Sequence, residues 1–298
     1  MLYQRQKTLL ALLNAFGGRL SSLDFQKLLF LYCQEWEEAV SYDFVPYRFG
    51  GFSFTSYADK RKLVERGLLA DEEKAWQLTE AGKDAIRFPV TINHRTSRFA
   101  ADYADLRGDD LVREAYRRHP WSATRSEMAS RLFRDDPVTL ERIREQSPIR
   151  GKSGICTIGY EGKSLEHYLN SLLKDGVSLL CDVRRNPLSR KYGFSKGVLS
   201  SSSEKLGIRY EHLRELGIES EKRQELKNQA SFEKLFAYYE QASLPQQGAA
   251  LARIRGWVSE GHRVALTCFE LHPHRCHRRC VAEALERKFG SICQPHHL

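Results

Sequence analysis

Residues 264–284 read VALTCFELHPHRCHRRCVAEA, and the fold turns on how this stretch changes character half-way. It opens as a buried strand does, with small and β-branched apolar residues in succession. Pro273 then bars a continuing strand, while Cys276, Cys280 and Ala284 recur every four residues, with Val281, Leu285 and Phe289 widening the stripe into an apolar helical face. A strand running into a helix is one unit of a parallel α/β sheet. Cys276 falls in the expected first turn, where unpaired backbone N–H groups and the macrodipole, with Arg275, Arg278 and Arg279, favour a thiolate. Cys280, one turn further in, reads instead as a small buried hydrophobe; Cys268 and Cys276 read equally well either way.

The same alternation runs backward along the chain. ICTIGYEG (155–162) is an apolar strand that stops at Gly159, and SLEHYLNSLLKDG (164–176) is a helix closed by Gly176. VSLLCDVRRNP (177–187) repeats the strand, a helix follows around Ser200 to Leu206, IRYEHL (208–213) is a third strand, and GHRVALTCFE (261–270) supplies the fourth. Strand and helix in alternation predict a mainly parallel sheet with right-handed crossovers.

Side chains just beyond the carboxyl ends of parallel strands share one crevice, where ligands bind. That places Tyr160 and Glu161, Asp182 with Arg184 and Arg185, His212 with Arg214 and Glu215, Cys268 with Glu270, and then Cys276, His277 and Arg278 at one edge. Arginines beside helix N-termini suit phosphate, and Tyr160, Tyr192 and Phe194 offer faces on which a base could stack. Glu161, Asp182 and Glu270 could then serve as general base, or stabilise an oxocarbenium-like centre, in cleaving a glycosidic or phosphoester bond. Asp182 reads equally well as a structural ion pair with Arg184 or Arg185. Cys276 or Cys268 as nucleophile, with His277 or His212 nearby, is the second enzymatic reading. Cys268, His272, Cys276 and His277 have the identities of zinc ligands, yet no CxxC pair is present, so the expectation is of no metal and no cofactor.

The N-terminal half is helical in pattern. RQKTLLALLNAF (5–16) places leucines on one face before Gly17 and Gly18 end it; Ser21 and Ser22 look like a cap for a second helix, 23–39. YDFVPYRFGGFSFTSY (42–57) is aromatic and glycine-rich, a third helix follows near 56–65, and residues 67–86 read as two short strands around an acidic turn before Thr79 caps a last helix. Three helices and a two-stranded turn make a plausible wing, with Arg48, Lys60, Arg61, Lys62 and Arg66 as expected nucleic-acid contacts. Residues 89–150 carry Arg95, Arg98, Arg113, Arg117 and Arg118 among Phe99, Tyr103 and Tyr116, and read as a solvated helical connector. PIRGKSG (148–154) is the expected cut, giving domains at 1–88, 89–150 and 151–298.

Composition frames both halves. The 298 residues suffice for two cores, and a net charge of +9 with pI near 9.2 points to a polyanionic partner, nucleic acid or nucleotide. Six of seven cysteines lie after residue 150, an uneven scatter that suits a reducing cytoplasm better than a disulfide framework. No secretory leader is read, and no apolar run nears the roughly 18 residues of a membrane span.

Two resemblances follow from these motifs. QKLLF (26–30) and YRFGGFSF (47–54) resemble the winged-helix domains of the SocA-like, antitoxin-associated group. TIGYEGKSLEHYL (157–169), CDVRRNPLSRKYGFSK (181–196), IRYEHLRELG (208–217) and ALTCFELHPHRCHRRCVAEAL (265–285) resemble the DUF488 family over roughly Gly154 to Leu298. That second resemblance implies a compact α/β fold with no settled reaction. Its motif positions here are Tyr160, Glu161, Asp182, Arg184, Arg185, Asn186, Pro187, Ser189, His212, Leu216, Gly217, Cys268, Glu270, Cys276, His277 and Arg278. The function expected is a nucleic-acid-associated hydrolase or N-glycosidase acting on a nucleotide or nucleic acid, DNA before RNA. The alternative is a DNA-binding regulator whose C-terminal domain senses a nucleotide or an oxidant.

Overall fold

The leucines of the N-terminal stretch wind into α1 (Gln4–Ala15), burying Leu9, Leu10, Leu12 and Leu13. Gly17 and Gly18 then take φ of 82° and 81°, a left-handed pair that ends the helix at little steric cost. β1 (Arg19–Ser21) leads into α2 (Ser22–Glu35), which Ser21 caps by accepting a hydrogen bond from the Asp24 amide. This computed structural model describes residues 1–87, 90–219 and 229–298, and divides the chain into Met1–Ser147 and Pro148–Leu298. The cut thus falls at Pro148, where the sequence places its linker; Phe88 and Pro89, the other expected boundary, lie outside the described residues.

The aromatic and glycine-rich segment is a hairpin, β2 (Val45–Tyr47) against β3 (Gly50–Phe52), turning on Gly50 at φ 87°. α3 (Phe54–Glu65) follows, and β4 (Ala75–Gln77) returns to pair antiparallel with β1, Leu20 opposite Trp76. Leu69 bridges Leu78, and Thr79 caps α4 (Glu80–Asp84). Then come α5 (Val90–Asp102), α6 (Gly108–Arg118), α7 (Ala129–Leu132) and α8 (Pro137–Glu145). The solvated connector expected here is corrected by the packing. Phe99, Tyr103, Leu111, Val112, Tyr116 and Phe133 join Leu9, Phe25 and Trp76 in one core, so the aromatics are spent on the interior and offer no face to a base. The arginines of α6 border that core: Arg118 Nη1 donates to the Tyr103 hydroxyl at 2.9 Å, and Arg117 lies 5.5 Å from the Phe133 ring centre.

In the C-terminal unit the expected strands form. β5 (Gly154–Gly159), α9 (Leu165–Lys174), β6 (Leu179–Asp182), α10 (Lys196–Lys205) and β7 (Arg209–His212) alternate as the apolar runs predict. α11 (Gln229–Tyr238) and α12 (Gly248–Ser259) precede β8 (Arg263–Cys268), and α13 (His277–Phe289) follows it. The tail adds an unforeseen fifth strand, β9 (Pro295–His297). All pairs are parallel, in the order β7-β6-β8-β5-β9, so the carboxyl ends of β5, β6, β7 and β8 lie along one edge.

Candidate functional site

The residues expected at that edge are there, but they divide into three groups. The first is a filled ionic knot at the end of β6. Arg184 grips Asp182 with Nε at 2.8 Å and Nη2 at 2.5 Å, and its backbone amide adds a third bond at 3.1 Å. Tyr210 donates to the same carboxylate at 2.7 Å, so each oxygen already accepts two hydrogen bonds. Asp182 is 0% exposed. A carboxylate with its lone pairs occupied and no path to solvent takes no proton from water, so the catalytic role expected of Asp182 is corrected to a structural one. Burial opposes the Arg184 charge, but the hydrogen bond and field of Asp182 outweigh it and raise the pKa above its ordinary value. Burial and the same carboxylate raise Tyr210.

The knot also uses up the aromatic faces. Arg184 Nη1 donates to the Tyr160 hydroxyl at 2.9 Å and to the Phe194 carbonyl at 2.8 Å, while the two rings stack on each other 4.3 Å apart and 7° from parallel. Both are buried, so neither is a platform for a base, and Arg184 is no ligand-binding group. Ser189 shapes the intervening loop: its amide donates to Ser195 Oγ and its own Oγ accepts from Lys191 N. Tyr192 is half-buried in that loop.

The second group joins the ends of β8 and α13. Cys268, Cys276 and His277 are each at most 1% exposed, and His277 Nδ1 lies 3.7 Å from Cys268 Sγ. His277 Nε2 sits 2.9 Å from the Val183 carbonyl, which can only accept, so the ring hydrogen is on Nε2. Cys276 is the residue just before the helix, not within its first turn, and burial, followed by the hydrogen bond and charge of Cys268, pushes its thiol well above the usual range. In the metal-free chain desolvation thus opposes the thiolate that the helix end was expected to favour. Burial likewise pushes Cys280 up to about 12, in keeping with its reading as a small hydrophobe.

Arg278, expected as a ligand contact, is 0% exposed and holds the loop after β8: Nη1 reaches the Glu270 carbonyl, Nη2 the Leu271 carbonyl at 2.9 Å and Nε Thr157 Oγ1 at 3.3 Å. Glu161 fastens the same loop by accepting from Leu271 N at 2.9 Å. A Cβ on Gly159 would run into the Glu270 carbonyl, so the glycine of the GYEG motif is what lets this loop lie against β5.

The third group is the open one. A cavity of about 680 Å³ is lined by Arg185, Asn186, Pro187, Lys196, His212, Arg214 and Glu219. A second cavity of about 280 Å³, with Glu215, Gly217, Tyr238 and Tyr239 in its wall, shares Arg185 and Glu219 with the first. Gly217 brings the walls together, since a Cβ there would strike the Arg185 backbone. His212 Nε2 is fixed by the Arg184 carbonyl at 2.8 Å. Of the expected ligand residues, Arg185, Asn186 and His212 line the larger cavity, which has no contribution from Glu161, Asp182, Glu270, Cys268 or His277. Lys196 and Glu219 were missed; Lys196, closing the basic-aromatic-glycine stretch at the start of α10, carried the better signal.

Among the expected nucleic-acid contacts, Lys60 is corrected. It is buried, donates to the Glu72 and Ala75 carbonyls at 2.6 and 2.7 Å, and lies 5.0 Å from the Trp76 ring centre; burial lowers its pKa. Arg61, Lys62 and Arg66 are exposed on and just after α3, and Arg48 is exposed beside Glu127 at 3.6 Å. Lys27, unremarked in the sequence, is 2% exposed, yet borders a cavity of about 360 Å³ with Gln26, Tyr47, Arg48 and Tyr57. Its signal was a charge on the apolar face of QKLLF.

Residues 164–285, within the C-terminal unit, match the family described as Domain of unknown function DUF488. The GYEG motif lies just ahead of the matched residues. No curated protein and no solved structure matches the chain. No helix among the described residues is long and apolar enough to cross a membrane.

Proposed function

We propose that the C-terminal unit holds a phosphate-bearing ligand, a nucleotide or a nucleic-acid strand, in the cavity beyond β6 and β7. The observation that carries this reading is the meeting of Arg185, Lys196 and Arg214 with Asn186 and His212 around one space of about 680 Å³. That volume suits a nucleotide, and the guanidinium groups suit phosphate oxygens. Hydrolysis of an N-glycosidic or phosphoester bond would then fall to a carboxylate in the cavity wall; Glu219, in both walls and 3.8 Å from Arg185, is the candidate. Glu161, bonded to Leu271 N, and Glu270, within the loop after β8, line neither cavity and are the weaker candidates.

The test is equilibrium binding of labelled mononucleotides and short single strands to the full chain. The double variant Arg185→Ala, Arg214→Ala is expected to weaken binding about tenfold or more and to flatten its salt dependence. Unchanged affinity overturns the reading. Release of base or cleaved strand by the native chain, lost in Glu219→Gln, marks it as an enzyme.

The regulator reading has its own observation. Exposed Arg61, Lys62 and Arg66 sit on and after α3, while β4, paired with β1, and the Leu69–Leu78 bridge follow that helix in the order of a winged helix. Sequence-selective duplex binding by the full chain, weakened by Arg61→Ala and Lys62→Ala, with no turnover of any nucleic acid, favours it.

A further inference from the structure

We infer that Cys268, Cys276 and His277 form a zinc site that ties β8 and α13 to the end of β6. The three ligand atoms all lie within 4.8 Å of one another and all three side chains are buried. In a tetrahedral zinc site, with Zn–S about 2.3 Å and Zn–N about 2.0–2.1 Å, sulfur and nitrogen stand roughly 3.6 Å apart. Cys268 Sγ and His277 Nδ1 are 3.7 Å apart before any ion draws them together.

The histidine is oriented as a ligand must be. With its hydrogen on Nε2 and bonded to the Val183 carbonyl at 2.9 Å, the ring turns Nδ1 toward the sulfur, the second-shell arrangement found around metal-bound imidazole. The backbone supplies the rest. Cys276 sits in extended conformation, φ −137° and ψ 135°, and His277 opens the helix, so two adjacent residues meet Cys268 from one corner. The missing CxxC spacing, which argued against a metal, matters less once β8 and this corner bring the third ligand from a distance.

The charges also balance. Binding forms two Zn–S bonds and one Zn–N bond, and the two thiol protons leave to solvent. Two thiolates and a neutral imidazole then cancel the charge of the ion, which a buried site requires. Cys268 Sγ donates to Glu270 Oε2 at 3.5 Å, a hydrogen bond that is given up when the thiol proton leaves. Ligands this buried suit a structural ion taken up as the chain folds, and soft sulfur donors favour zinc over magnesium or calcium.

The full chain, produced with zinc and purified reduced and without chelator, is expected to carry about one equivalent of zinc by elemental analysis. Cobalt(II) added to the chelator-treated protein is expected to give thiolate-to-cobalt charge-transfer absorption with tetrahedral visible bands. Cys276→Ser and His277→Gln should abolish that spectrum, and Cys280→Ser, on the same helix but outside the cluster, should keep it. Circular dichroism checks that each variant folds, and where one does not, the cobalt spectrum of the native chain decides. A folded, reduced native chain with under about a tenth of an equivalent of zinc and no cobalt spectrum overturns the site. So does a Cys268–Cys276 disulfide in the freshly isolated protein, seen as a mass two hydrogens lighter. Neither result bears on nucleotide binding in the cationic cavity, which uses other residues.

Discussion

Lys27 and Arg184 are both cations shut away from water, and the two units treat them in opposite ways. Lys27 donates to the Gly51 carbonyl at 3.2 Å, and burial drives its pKa down to about 7. Arg184 meets a full carboxylate, a tyrosine hydroxyl and a carbonyl, and its pKa rises despite burial. A planar guanidinium presents a fork of fixed donors that a carboxylate matches two at a time, whereas an ammonium is a compact, strongly hydrated charge that one carbonyl does not compensate. The lesson is that burial alone does not mark a functional cation. The compensated one is architecture, and the uncompensated one, beside a cavity, is the group able to change its charge near neutral pH.

The largest effect should come from breaking the compensated side. Asp182→Ala leaves Arg184 buried and uncompensated, and should cost about 3–5 kcal/mol in denaturant unfolding. A cost under about 1 kcal/mol would mean that the knot does not hold this edge of the sheet.

Next comes the uncompensated side. Below about pH 7 both folded and unfolded chains carry the Lys27 proton, so the full cost of burying the charge is present. Between about 7 and 10.5 the unfolded chain binds the proton that the folded chain has lost, and stability from this group rises with pH. Lys27→Met removes that cost, about 5 kcal/mol at most, but leaves the buried Gly51 carbonyl without its donor, so it should raise stability by about 2 kcal/mol below neutrality, a gain that fades toward pH 10. Thermal unfolding across that range checks the sign; a gain that grows with pH would refute it.

The smallest effect sharpens the contrast. Tyr210→Phe removes one of four donors to Asp182 and leaves the Arg184 fork intact, so it should cost only about 1–2 kcal/mol by the same denaturant measurement. A cost equal to that of Asp182→Ala would place the strength of the knot in the tyrosine instead.

These contrasts also separate what the chain discloses from what it withholds. The four long strands were legible because apolar runs such as Ile155–Ile158 end at glycine or charge, and their carboxyl ends had to share an edge. β9 was not, because PHH has none of the β-branched or aromatic residues that mark a strand. The β2–β3 hairpin was hidden by Pro46 and its glycines, which read as loop. The burial of Phe99 and Tyr103 was masked by the arginines around them, although their spacing of four puts both on one helical face. At the site, residue identities set the address but not the partition. Whether Arg184 or Arg185 turns inward depends on Tyr160, Phe194 and Tyr210, which arrive from other segments.

The tail strand bears on how the sheet avoids sticking to other molecules. β5 is buried along all six residues, and a strand so apolar with an open margin is a template on which foreign chains add and fibres grow. β9 occupies that margin, with Leu298 N bonded to the Thr157 carbonyl at 2.9 Å. At the opposite margin β7 needs no such cover, because Arg209 and Glu211 give it a charged fringe that repels an incoming strand. Four residues at the end of the chain thus act as a selvedge, sealing the one border whose own side chains could not.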